Sequence, residues 1–312
     1  MKTLVILYAE SEYTPWKENI DSFTVNFIRN LLEPYYRVDV RHMEYPSDYL
    51  GKILQQYDGV INLCYGFMEH SQDEIATWLD NQRVNHLSSP GWIQRQVQDK
   101  LWVEKKAVQL GVQVPVAIQH KTVLEKQHTY ILKPRFGSCH HGIHILNGES
   151  MSNLLQAGSF GNHILQEYIA GREFSVAVIP SDTGLDYKAL PPVEIIPNSD
   201  RLIFVAGNSF GGTSRSFSYN LDTNIKEQMM TIASDFHKQL GLRYMSRMDF
   251  RLRDNDIYLL DVNAMPNLHP VKSLLPSLLE YNNMSILDIL QNSIRLNQTY
   301  TNSNELRLSY SF

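Results

Sequence analysis

Arg247-Met248-Asp249-Phe250-Arg251-Leu252-Arg253-Asp254-Asn255-Asp256-Ile257-Tyr258-Leu259-Leu260-Asp261-Val262-Asn263 carries two alternating runs on either side of an Asp/Asn cluster, the pattern of an antiparallel hairpin. A three-residue loop at 254–256 pairs Met248 with Val262, Phe250 with Leu260 and Leu252 with Tyr258, which makes one apolar face. A two-residue loop scatters that set. With the longer loop, the opposite face holds Arg247 against Asn263 and Asp249 against Asp261. Opposed Cβ atoms lie about 4.5–5.5 Å apart, so two carboxylates repel unless a cation sits between them. A few carboxylate oxygens completed by water and phosphate suit Mg²⁺. Arg247 beside them can neutralise charge on a transferring phosphoryl group. The plain alternative is a solvated hairpin with a charged outer face.

Downstream, Ala264-Met265-Pro266-Asn267-Leu268-His269-Pro270-Val271-Lys272-Ser273-Leu274-Leu275-Pro276 is a polar loop entering a helix near Ser273, whose free amides can receive a carboxylate. Upstream, helical spacing spans 225–240 and ends at Gly241, and short strands are expected at 129–133, 163–166, 175–179 and 193–196. One helix is expected over 93–110, carrying Gln98-Asp99-Lys100 and ending at Gly111. The first 88 residues read differently. An apolar strand at 4–8, a helix at 19–32, a strand at 37–42, a helix at 49–56 and a strand at 59–64 alternate as in a three-layer parallel α/β unit. Ser88-Ser89-Pro90-Gly91 is a turn cluster and boundary. A last helix is expected over 285–296, followed by a loosely held tail rich in Asn, Ser and Thr.

Lys133-Pro134-Arg135-Phe136-Gly137-Ser138-Cys139-His140-His141-Gly142 follows a strand and is bracketed by glycines. Such a loop lets backbone amides approach phosphates while Lys133 adds a point charge, although an ordinary turn has the same composition. A metal role for His140 and His141 is not favoured, since no third ligand is spaced nearby. Gln166-Glu167-Tyr168-Ile169-Ala170-Gly171-Arg172-Glu173-Phe174 reads as strand, turn and strand.

With 312 residues, 43% of them hydrophobic, the chain can build a sizeable core. A net charge of −5 argues against broad binding to nucleic acid or an anionic membrane. The first apolar run is too short for a signal peptide and no stretch approaches the roughly 20 apolar residues that span a bilayer. Two cysteines make neither a disulfide framework nor a metal cluster, so a reduced cytoplasmic enzyme is expected.

The run from Met248 to Pro276 resembles the C-terminal signature of the D-alanine–D-alanine ligase family, within the ATP-grasp superfamily, and the order of motifs is similar from Gln98 onward. The resemblance implies an ATP-grasp fold, α/β and α+β, with an N-terminal three-layer α/β (pre-ATP-grasp) domain. It divides the chain into an N-terminal substrate domain at 1–90, a central ATP-grasp subdomain at 91–174, and a C-terminal subdomain with the metal site at 175–312. It implies that Asp249, Asp261 and Asn263 hold two magnesium ions and that Arg247 stabilises the transition state. Ser138 would lie where substrate meets ATP, in a loop with Gly137 and Gly142 that closes over the phosphates. Lys100 and Lys133 would reach those phosphates. Gln166, Glu167, Ile169 and Leu260 would line the nucleotide site, with Glu173 on the ribose hydroxyls. Ser273 and Leu274 would contact the substrate carboxylate, and a homodimer is implied.

The departures concern the acceptor. Asp261 stands where the family usually has Glu. Glu12, in Tyr8-Ala9-Glu10-Ser11-Glu12-Tyr13, is the nearest equivalent of the glutamate that binds the first substrate's amine. The family's His-Gly pair is Tyr65-Gly66 here, and its lid is replaced by Gly207-Asn208-Ser209-Phe210-Gly211-Gly212-Thr213-Ser214-Arg215, with Arg215 a substitute cation. Retained ATP chemistry with an altered acceptor surface leads to an ATP-dependent ligase joining an amino-acid amine to a phosphate-activated carboxylate or carbonyl. Specialised, mycosporine-like metabolism is the leading setting. A D-alanine–D-alanine ligase of cell-wall synthesis and a non-catalytic nucleotide-binding module are the alternatives.

Overall fold

The protein is described by a computed structural model covering residues 1–9, 21–67, 70–119, 123–136, 142–158, 160–183, 186–197, 213–216, 221–271 and 273–302. Its N-terminal unit runs β1 (Thr3–Tyr8), α1 (Ser22–Leu32), β2 (Arg37–His42), α2 (Asp48–Leu54), β3 (Gly59–Leu63), the small pair β4 (Gly66–Phe67) and β5 (His70–Ser71), and α3 (Gln72–Asn81). The parallel sheet has the order β2-β1-β3. Leu4 and Ile6 pack with α1 on one face and Val5 and Leu7 with α2 and α3 on the other, which explains the unbroken apolar run of β1. The sequence reading passed over α3, although Ser71 and Glu74 form a capping box at its start.

The expected single helix over 93–110 is two helices, α4 (Gly91–Gln98) and α5 (Lys100–Gln109). Asp99 sits between them with extended ψ of 98° and caps α5 by accepting from the amides of Leu101 and Trp102. Apolar residues on both sides of the break hid it. The chain continues through β6 (Ala117–Ile118), β7 (Thr129–Pro134), β8 (His144–Asn147), α6 (Gly148–Ala157) and β9 (His163–Glu167), whose four strands pair in the order β6-β9-β7-β8.

A second, larger sheet follows: β10 (Arg172–Pro180), β11 (Tyr187–Ala189), β12 (Val193–Pro197), β13 (Thr213–Ser216), then α7 (Thr223–Gln239), β14 (Ser246–Arg253) and β15 (Asp256–Asn263). Its order is β13-β12-β10-β14-β15, with β11 on β10. Phe174, Val176, Met248, Phe250 and Leu259 face α7, α4 and α5 in one buried cluster, so the other face of these strands is free to carry polar groups. The helices α8 (Leu274–Tyr281) and α9 (Ile286–Asn302) pack against α1 and β10 in the core shared with the N-terminal unit. Helix α9 extends beyond the expected end at 296, because Asn297 is buried and bonded to Tyr244 and Asn85. The remainder of the expected tail, 303–312, lies outside the described residues.

Candidate active site

The hairpin of β14 and β15 contains both registers. Arg247 pairs with Asn263, Met248 with Val262 and Asp249 with Asp261, but beyond a shift at Asp249/Phe250 the pairs become Phe250 with Leu259, Arg251 with Tyr258 and Leu252 with Ile257. The turn is therefore shorter than expected, with Asp254 left-handed at φ 56°, a conformation that Asp tolerates. Leu260 is the extra residue of a β-bulge, which corrects its expected place opposite Phe250. Leu259 takes the core position, and Tyr258 joins the polar face, where its hydroxyl accepts from Arg253 Nη2 at 2.6 Å.

Strand β10 completes that face by pairing Ala177 with Arg247, Ser175 with Asp249 and Glu173 with Arg251. Arg247 forks onto Asp249 through Nε and Nη2 at 3.0 and 2.9 Å, and Ser175 Oγ donates to Asp249 Oδ1 at 2.5 Å. Arg251 donates to Glu173 at 2.6 Å and to the Tyr168 hydroxyl at 3.1 Å. Burial pushes the Glu173 carboxyl up, opposed by Arg251 and reinforced by the charge of Asp249. Sequence reasoning missed Ser175 and Arg251; their alternate spacing from Glu173 and Asp249 was the available signal.

A second group approaches from the smaller sheet. Lys133 is buried on β7, and its ammonium pKa is depressed to about 8, first by burial, then by Lys100, against the opposing charges of Asp261 and Glu104. The Lys133 and Asp261 charges thus act on one another across the two sheets. Lys100 opens α5, its amide bonded to the Arg135 carbonyl at 3.1 Å, while Arg135 forks onto Asp99 at 2.7 and 2.5 Å. Gln166 is buried, donating to the Pro115 carbonyl at 2.5 Å and to Glu104 at 3.3 Å, while its Oε1 is buried with no hydrogen-bond partner. Ile169 is buried and Glu167 is exposed, held by Arg253 at 3.2 Å.

Ser273 stands at the start of α8, with Leu274 the first helical residue. Its hydroxyl donates to the Asn267 carbonyl and its amide to the His269 carbonyl. Gly142 has φ of +71° at the end of the glycine-bracketed loop. Glu12, Gly137, Ser138, His140 and His141 lie outside the described residues. So does most of the stretch read as a lid, but Thr213 to Ser216 form β13, a strand paired with β12, and Arg215 belongs to it opposite Ile195.

The donors are two carboxylates and an amide, all oxygen, and among the described residues no group of three or more His, Cys, Asp or Glu side chains could hold a metal. That donor set fits a hard cation sharing phosphate oxygens, not a self-sufficient protein cage. The orphan acceptor of Gln166 and the buried ammonium of Lys133 likewise fit a bound polyphosphate nucleotide. Among the described residues no helix is long and apolar enough to cross a membrane.

Comparison with known proteins agrees with this geometry. The profile of the ATP-grasp domain matches residues 97–267. The D-alanine–D-alanine ligase of Petrotoga mobilis is 27% identical over 234 residues, covering 73% of this chain and 76% of its own. That of Thermotoga maritima is 24% identical over 230 residues, covering 71% and 75%. Among solved structures, the D-alanine–D-alanine ligase of Bacillus anthracis superposes with a TM-score of 0.75 at 17% identity, over 96% of this chain and 98% of that one. The VanG D-Ala:D-Ser ligase of Enterococcus faecalis gives 0.72 at 15% identity, over 95% and 99%. The fold is thus shared along nearly the whole chain, and the protein belongs to the ATP-grasp family, alongside the D-alanine–D-alanine ligases.

Proposed function

We propose that the protein is an ATP- and magnesium-dependent carbon–nitrogen ligase that joins two amino acids, as D-alanine–D-alanine ligases do. The observation that carries this reading is the Arg247, Asp249, Asp261 and Asn263 face set against the buried Lys133, so that cations and carboxylates from two sheets converge. The relatives named above favour this reading over mycosporine-type chemistry, which the sequence alone had put first.

Asp249, Asp261 and Asn263 would hold magnesium, two ions by our proposal, and the metal when bound would supply charge neutralisation for the phosphoryl group. Lys100 and Lys133 hold the phosphates as point charges, Glu173 accepts from the ribose hydroxyls, and Gln166 Oε1 accepts from the adenine amine. The carboxylate of the first amino acid takes the terminal phosphoryl group of ATP, giving an acyl phosphate and ADP. The amine of the second attacks that carbon, and phosphate leaves as the amide forms. Arg247, fixed beside Asp249, faces the negative charge that develops in both steps. Ser138 and the 137–142 loop would exclude water during transfer, and Glu12 and Arg215 would face the substrates.

A screen of ADP release, with products identified by mass, tests this. D-alanine alone, or one pair of amino acids, is expected to give ADP and dipeptide in equal amounts. Turnover only with a keto-acid or cyclohexenone acceptor would return the mycosporine reading. No ADP release with any pair would leave a binding module.

A further inference from the structure

The loop between β15 and α8 is tied to the N-terminal unit at two points. Tyr65 donates its hydroxyl to the Pro266 carbonyl at 3.1 Å, and His269 Nε2 lies 3.4 Å from Asp21 Oδ2. His269 is buried, with the Phe23 ring 5.8 Å away between centroids. Its Nδ1 accepts the Val271 amide at 3.1 Å, so that nitrogen carries no proton and the ring N–H sits on Nε2, facing the carboxylate. The other oxygen of Asp21 caps α1, accepting from Thr24 N at 2.9 Å and Thr24 Oγ1 at 2.7 Å. Within the loop, Asn267 Oδ1 accepts from the His269 amide at 2.8 Å, and the Ser273 amide donates back to the His269 carbonyl at 3.1 Å. The Ser273 hydroxyl proton is engaged by Asn267, and Pro276 has no amide proton. At the start of α8, the amides of Leu274 and Leu275 are therefore the donors that face outward by position.

We propose that His269, held by Asp21, is a positioning residue for the acceptor amino acid: it fixes the loop that sets where those two amides stand. This rests on the ligase reading, in which the start of α8 receives the acceptor carboxylate. The N-terminal unit thereby acts on acceptor binding without touching the nucleotide.

Three variants separate the contact from the fold. Asp21→Asn keeps a good helix cap but turns an N–H toward the ring. His269→Asn keeps an acceptor for Val271 and loses the reach to Asp21, while His269→Gln keeps the reach. Asp21→Asn and His269→Asn are each expected to raise the acceptor KM about tenfold, with kcat and the ATP KM unchanged, and the double variant to be no worse than either single one. His269→Gln is expected to restore much of the loss. Hydrogen exchange on the nucleotide-free protein supplies a readout independent of turnover. Val271 and Ser273 amides are expected to exchange about tenfold faster in Asp21→Asn, with Thr24 still protected. Equal exchange, or KM for ATP and acceptor rising together, overturns the proposal. A wild-type protein without turnover sinks the ligase reading instead, and exchange still decides the contact.

Discussion

The ammonium of Lys133 is disfavoured both by burial and by the neighbouring charge of Lys100, against Asp261 and Glu104. Its folded-state pKa of about 8 lies below the 10.5 of an ordinary lysine, because the ammonium is desolvated and faces Lys100. Between those values the unfolded chain holds a proton that the folded chain has lost, so this group's contribution to stability rises with pH across that window. Its penalty is present in full below pH 8. A bound polyphosphate reverses the preference by favouring the charged form. The KM for ATP is therefore expected to be lowest below pH 8 and to climb as pH rises through that value. Lys133→Arg, which does not deprotonate in this range, is expected to remove the break. A pH series of initial rates at limiting ATP checks it, and the same break in both proteins would disconnect Lys133 from the phosphates.

At the scale of elements, the turn between β9 and β10 must hold Ile169 and Glu173 on either side of one glycine. Gly171 has φ of +142°, and a Cβ there would stand 2.1 Å from the Leu252 carbonyl oxygen of β14. Gly171→Ala is expected to cost about 2–4 kcal/mol of stability, read from urea unfolding, because backbone on both sides must shift. A midpoint within error of wild type would show that the turn relaxes freely. The hairpin shows what a sequence can disclose. Alternation placed Asp249 opposite Asp261 and Arg247 opposite Asn263, since both pairs lie on the site side of the bulge. It misplaced Leu260, because a bulge adds one residue without changing the apolar pattern near it. The expected continuous helix over 93–110 failed for a different reason: Asp99 ends one helix and caps the next, and apolar residues on both sides of it, Ile93 and Val97 before and Val103 and Ala107 after, read as one run. Ser175 and Arg251 went unread because their meaning comes from pairing across strands far apart in sequence.

For the whole molecule, the N-terminal unit and the larger sheet share an apolar core, and specific polar links cross between the parts around the proposed chemistry. Lys133 and Asp261 feel one another's charge across two sheets, and Tyr65 and Asp21 bind the N-terminal unit to the loop between β15 and α8. We propose to keep the division at residues 90 and 174 as three subdomains, and a homodimer as the working assembly. Family membership was legible in the order of motifs from Lys100 to Ser273, because nucleotide chemistry constrains residue types tightly. The acceptor was not, since Tyr65 and the loop at 264–273 depend on contacts that no local pattern announces. The central claim is that the hairpin face of Asp249, Asp261 and Asn263 holds the metal together with ATP. Manganese, substituted for magnesium and followed by electron paramagnetic resonance, measures this directly. The wild-type protein is expected to bind Mn²⁺ tightly only when ATP is present, and Asp249→Asn to lose that binding while remaining folded. Unchanged Mn²⁺ and ATP binding in Asp249→Asn would contradict the assignment of the site.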